Sequence, residues 1–176
     1  MTLNFKIPAL KKKERISLEG KVGSKVNRED YGTWNGHWDF PDKLDPASYT
    51  GFIYIIADNN NRKLYLGKKQ YKGTGKLNKG LESNWRWYIS SSKELSEQVK
   101  LYGKENFDFI AIEQYKSKGA LSYAETWSLM RVEAPSNRSV WYNLLVNKVS
   151  WVVKEPVTEL HKERLDALST LYGEPK

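Results

Sequence analysis

Two tyrosines and one glutamate are the residues of this chain whose types and settings best suit chemistry. Tyr54 lies in the apolar run GFIYIIA and Tyr65 in LYLG, with the turn DNNN between the two runs. Phenols facing each other across a hairpin either pack the sheet or form half of an active site. Glu125 stands in SYAETW with Leu121 and Leu129 one helical turn to either side. That spacing sets a carboxylate within an apolar stripe. Burying an unpaired carboxylate is costly, so such a glutamate has an ion-pair partner or a metal ion. The pattern alone leaves both open. Histidines add little: His37 is in a glycine-rich stretch and His161 in a polar C-terminal helix, neither near another candidate ligand. There is no cysteine, which excludes disulfides, thiolate zinc sites and cysteine nucleophiles. Hydrolysis by this chain would rest on tyrosine, on lysine or arginine, and on a carboxylate with a metal.

The charge points to a polyanionic partner. The 176 residues carry a formal charge of +8, with a pI near 9.4. Such an excess favours nucleic acid over an acidic membrane surface. Residues 51–104 hold eleven Lys and Arg against four Asp and Glu, so the surplus falls on the two-tyrosine stretch and the segment after it. Phosphate contacts are expected there. No apolar run is long enough to span a membrane, and the N-terminus lacks the order of a signal peptide. A cytoplasmic protein without membrane contact is the expectation. The seven tryptophans read as core filler before they read as base-stacking platforms.

Several elements must position these groups. GFIYIIA and RKLYLGKK across an Asn-rich loop predict a β-hairpin. Residues 68–84 read as a long basic, glycine-rich loop that lacks the spacing of a phosphate-cradling motif. A helix is predicted over 91–102, opened by serine and stopped at Gly103. A strand is predicted over 107–115, with Phe107, Phe109, Ala111 and Glu113 alternating against Asp108, Ile110, Ile112 and Gln114. A second helix is predicted over 122–134, and a third over 157–172 with Leu160, Leu165, Leu168 and Leu171 as its stripe. The order gives an α/β (α+β) fold, a small three-stranded antiparallel sheet flanked by helices. The domain is expected over 49–147, between a basic, irregular extension (1–48) and a helical tail (148–176). The extension either wraps the core through Trp34, Trp38 and Phe40 or lies along DNA.

GFIY and YLGK resemble the two half-motifs of the GIY-YIG nuclease family. A later helix with Glu125 and a following YN with Asn143 match the family's order. The resemblance covers about residues 50–147 and is strongest to phage-encoded, homing-type members. It implies a metal-dependent endonuclease acting on double-stranded DNA, with Mg²⁺ or Mn²⁺ bound by Glu125. Tyr54 and Tyr65 would line the site. Tyr54 would help activate the attacking water, its pKa lowered by Lys68 and Lys69. Asn143 would hold the site together by hydrogen bonds. One site cuts one strand, so a double-strand break needs a homodimer or two binding events. The departure is the arginine expected soon after the second half-motif. The first available is Arg86, which either steadies the phosphate or packs with Trp85 and Trp87 or Glu82; Lys68 or Lys69 is the substitute. DNA contacts are expected from Lys68, Lys69, Lys72, Lys76, Lys79 and Arg86. The alternative is a nucleic-acid-binding module that kept this fold and lost catalysis.

Overall fold

Strands β1 (Gly51–Asp58) and β2 (Lys63–Gln70) form an antiparallel hairpin, with Tyr54 opposite Gly67. Asp58 closes the turn: its carboxylate accepts the backbone N–H groups of Asn60 (2.9 Å) and Asn61 (3.1 Å). Arg62 takes the left-handed backbone (φ 56°) that returns the chain to β2. Strand β3 (Phe107–Tyr115) pairs antiparallel with the other side of β1, giving the order β2-β1-β3. The computed structural model describes residues 35–77, 79–144 and 155–173.

β1 is apolar along its length because both of its faces are covered. Ile53, Ile55 and Ala57 point to one side, where helices α2 (Lys118–Arg131) and α3 (Glu159–Gly173) supply Leu121, Ala124, Leu129, Leu165 and Leu168. Phe52, Tyr54 and Ile56 point to the other. There Trp38, Phe40, Leu44 and Trp85 meet helix α1 (Lys93–Tyr102) through Leu95 and Val99. The result is a three-layer α+β domain.

Local signals explain the helix boundaries. The Ser92 hydroxyl accepts the Leu95 N–H at the start of α1, and Gly103 (φ 83°) ends it, as the sequence predicts. α2 starts earlier than expected, at Lys118, because the Ser117 hydroxyl caps it by accepting the Ala120 N–H. It stops earlier too, where Glu133 turns left-handed before Pro135.

Three further expectations are corrected. A bulge lies between the Ile53–Glu113 and Tyr54–Ala111 pairs, so strict alternation along β3 fails. Glu113 and Tyr115 therefore face the α2–α3 layer, while Gln114 turns to meet the Tyr71 hydroxyl at 2.6 Å. The stripe of α3 is not four leucines. Leu160 and Leu171 are exposed, and Leu165 and Leu168 share the buried face with His161 and Arg164. Finally, residues 35–48 pack as part of the domain. Asp39 bridges Ile110 at the sheet edge, donating to Phe109 O (2.7 Å) and accepting from Ala111 N (2.9 Å). Trp38 and Phe40 wrap the core, the first of the two roles expected for the extension; Trp34 and the basic arm lie outside the described residues.

His161 ties α3 to the rest. Its Nδ1 is 2.8 Å from the Tyr115 hydroxyl and its Nε2 is 2.8 Å from the Ser128 hydroxyl. Ser128 donates to Ala124 O, so its oxygen receives the His161 Nε2–H and Tyr115 donates to Nδ1. Burial, helped by Arg164, pushes the imidazole pKa down to about 4. A histidine held neutral in the fold and free to protonate when unfolded stabilises fully above its unfolded pKa near 6.5. That stabilisation is lost as pH falls from there through 4. Urea denaturation should show about 2–3 kcal/mol of acid-induced destabilisation across this window that His161→Gln lacks.

Candidate active site

The two tyrosines meet over a glycine. Tyr54 lies across its partner position on β2, and its ring centroid is 6.2 Å from that of Tyr65. A Cβ on Gly67 would stand 2.6 Å from the Tyr54 hydroxyl, 2.7 Å from its Cζ and 3.1 Å from a Tyr65 ring carbon. No side chain fits there. Gly67 is what lets the Tyr54 phenol reach the β2 edge of the sheet.

A third tyrosine completes the cluster. Tyr88 follows the short 3₁₀ turn Trp85–Trp87, and its ring is 6.4 Å from Tyr54, edge to face. The Lys69 ammonium lies 3.9 Å from the Tyr88 ring centroid and 2.8 Å from Asn84 Oδ1. Burial lowers the Lys69 pKa to about 8. The Tyr65 hydroxyl is 3.4 Å from Ser91 Oγ. Tyr88 and Ser91 escape sequence reading because their segment has no periodicity; the closing WY of NWRWY is the available signal.

Glu125 comes from α2 on the other side of β2. Its carboxylate is 2.9 Å from the Lys68 ammonium, which also lies 3.0 Å from Ser122 Oγ. The Glu125 side chain is 8% exposed and that of Lys68 24%. The apolar stripe around Glu125 thus holds a paired carboxylate, one of its two anticipated settings. Its charge reaches round the strand: it raises the pKa of both Tyr54 and Tyr88.

The expected lowering of the Tyr54 pKa is contradicted. Burial comes first, then coupling to the neighbouring phenols of Tyr65 and Tyr88 and the negative charge of Glu125, and all push it well above the ordinary tyrosine value. Tyr54 stays a neutral phenol, hydrogen-bonded to Tyr65. A base needs the phenolate, which neutral Tyr54 does not offer; Tyr65, half-buried, is the phenol nearer solvent.

Arg86 lies against Glu82 and Trp85. It is 5% exposed, its Nε donates to Glu82 Oε1 at 2.9 Å, and its guanidinium lies 4.3 Å from the Trp85 ring centroid. Tyr71, on the Trp85 side, feels its charge. Among its described residues the basic loop has no helix of its own. It runs out and back, with Gly73 N–Leu81 O and Ser83 N–Tyr71 O bonds holding its base. Lys72, Lys76 and Lys79 stand exposed along it.

Asn143 closes the edge of β2. Its Oδ1 accepts the Leu66 N–H (2.9 Å) and its Nδ2 donates to the Leu66 carbonyl (2.8 Å). A side-chain amide thereby acts as one residue of a neighbouring strand. Arg138 holds the backbone that carries it, donating to Tyr142 O (2.8 Å) and pairing with Glu94 of α1 (3.0 Å).

An α+β domain whose hairpin sets two tyrosines beside a helix-borne glutamate has the architecture of a small nuclease. Residues 34–146, well over half the chain, match the family described as "Putative endonuclease segE, GIY-YIG domain", and the chain belongs to this GIY-YIG endonuclease family. No curated protein and no solved structure matches the chain.

Two substitutions test this geometry. Asn143→Ala strips both bonds from buried Leu66 and should cost about 2–3 kcal/mol in urea denaturation. Gly67→Ala should shift the near-ultraviolet dichroism of the tyrosines, because the Tyr54 ring must move; an unchanged spectrum would contradict the close approach.

Proposed function

We propose that this domain hydrolyses phosphodiester bonds in double-stranded DNA with one divalent ion at Glu125. The observation that carries the reading is the convergence at the β2 edge of Tyr65 and Tyr88, their rings 6.2 and 6.4 Å from that of Tyr54, with Glu125 held by Lys68 of the same strand at 2.9 Å. Among the described residues no group of three or more His, Cys, Asp or Glu is gathered to hold a metal. A single carboxylate fits Mg²⁺ or Mn²⁺, which keep several waters and take a phosphate oxygen, and does not fit zinc. Such an ion would supply electrostatic stabilisation of the phosphorane-like charge and the leaving 3′ oxygen.

The chain's own residues do the rest. Glu125 holds the ion. Tyr65 orients the attacking water at the open side of the cluster, and neutral Tyr54 fixes Tyr65 by hydrogen bonding. Buried Arg86 leaves the scissile phosphate to Lys68 and Lys69, which grip as point charges rather than as a bidentate fork. Asn143 keeps β2 in register and does no chemistry. Exposed Lys72, Lys76 and Lys79 extend the positive surface along the duplex. Two copies of the chain, or two encounters, would cut both strands.

A supercoiled-plasmid nicking assay tests the reading. Wild type with Mg²⁺ or Mn²⁺ should nick and chelator should abolish it. Glu125→Ala should be slower by about two orders of magnitude or more, and Tyr65→Phe clearly impaired. Duplex binding without cleavage by folded wild type, with either metal, would favour the binding-module alternative.

A further inference from the structure

We infer that Lys68 and the divalent ion compete for Glu125, so that metal binding transfers the Lys68 ammonium from the carboxylate to the DNA phosphate. The inference rests on the nuclease reading and goes beyond it by giving Lys68 two successive partners. Lys68 Nζ sits 2.9 Å from Glu125 Oε2, at the carboxylate the ion would take. An ammonium and a divalent cation within ion-pair distance of one carboxylate repel each other strongly, the more so where the carboxylate is 8% exposed. Both cannot stay.

The ammonium has room to leave. Lys68 is near the end of β2, on the β2 edge beyond the Asn143–Leu66 contact, with its side chain 24% exposed. Its second partner, Ser122 Oγ at 3.0 Å, is a neutral hydroxyl that guides the chain without holding the charge. Its neighbour Lys69 already lies over Tyr88 on the tyrosine face of the sheet. A phosphate at the edge between them would receive the displaced Lys68. The pair thus compensates Glu125 while no metal is bound, and it lowers apparent metal affinity by the fraction of molecules in which Lys68 covers the carboxylate.

Isothermal titration with Mn²⁺ alone, without DNA, separates this from a merely structural ion pair. Lys68→Met keeps the aliphatic stem and removes the charge, and circular dichroism checks its fold; Lys68→Gln serves if Lys68→Met does not fold. The charge-free variant should bind Mn²⁺ roughly tenfold tighter or more than wild type, and Glu125→Gln should lose that binding. The same variant should nick plasmid more slowly despite its tighter metal, because the phosphate has lost its cation. Equal or weaker Mn²⁺ binding by the Lys68 variant overturns the competition and leaves the nuclease reading untouched. Absence of Mn²⁺ binding in all the proteins overturns the competition too, while wild-type nicking judges the nuclease reading separately.

Discussion

The outer edge of β2 is the constraint on which the site depends. An edge strand offers unpaired backbone groups that must be satisfied or left to water. Here the segment before Asn143 satisfies the first half: Leu64 N donates to Val140 O (2.7 Å) and Tyr142 N donates to Leu64 O (2.8 Å). The Asn143 amide then takes Leu66. Among the described residues this substitute strand reaches no further than Leu66, and beyond it Gly67 lies against the tyrosines and Lys68 against Glu125. Among the described residues the edge is closed up to Leu66 and uncovered beyond it.

From that edge the two faces of the sheet take different tasks. The tyrosine face is aromatic, and burial there holds Tyr54 as a neutral phenol. The helix face delivers one carboxylate and its ammonium partner. Because the strand is narrow and residue 67 has no side chain, the two sets influence each other around it. A β-carbon at that point would displace the Tyr54 phenol. Arg86, after a basic excursion, is fixed by Glu82 and by Trp85, which is itself buried beside Phe52 and Tyr71.

The parts legible in the sequence are those fixed by local rules. The Asn-rich turn, the Ser92 cap, the Gly103 stop and the apolar setting of Glu125 each depend on neighbours within a turn or two. The bulge opposite Ile53 and Tyr54 does not, since it arises from the fit of β3 on β1. It carries Tyr115 to the face where His161 waits, which is why a histidine in an outwardly polar helix is buried. Tyr88 and the partnership of Lys68 with Glu125 are hidden for the same reason: the first lies in an unpatterned segment, and the second joins a strand to a helix far along the chain. The upward shift of Tyr54 comes from burial, which a short motif does not report.

The claim that the β2 edge is the metal-bearing site is tested most directly by Mn²⁺ paramagnetic broadening in the amide NMR spectrum of the full chain. The account predicts that trace Mn²⁺ broadens Tyr65, Gly67, Lys68 and Glu125 first, and that Glu125→Gln removes the effect. Broadening centred elsewhere, for instance on the neighbouring acids Asp39 and Asp108, or persisting at the β2 edge in Glu125→Gln, would contradict it.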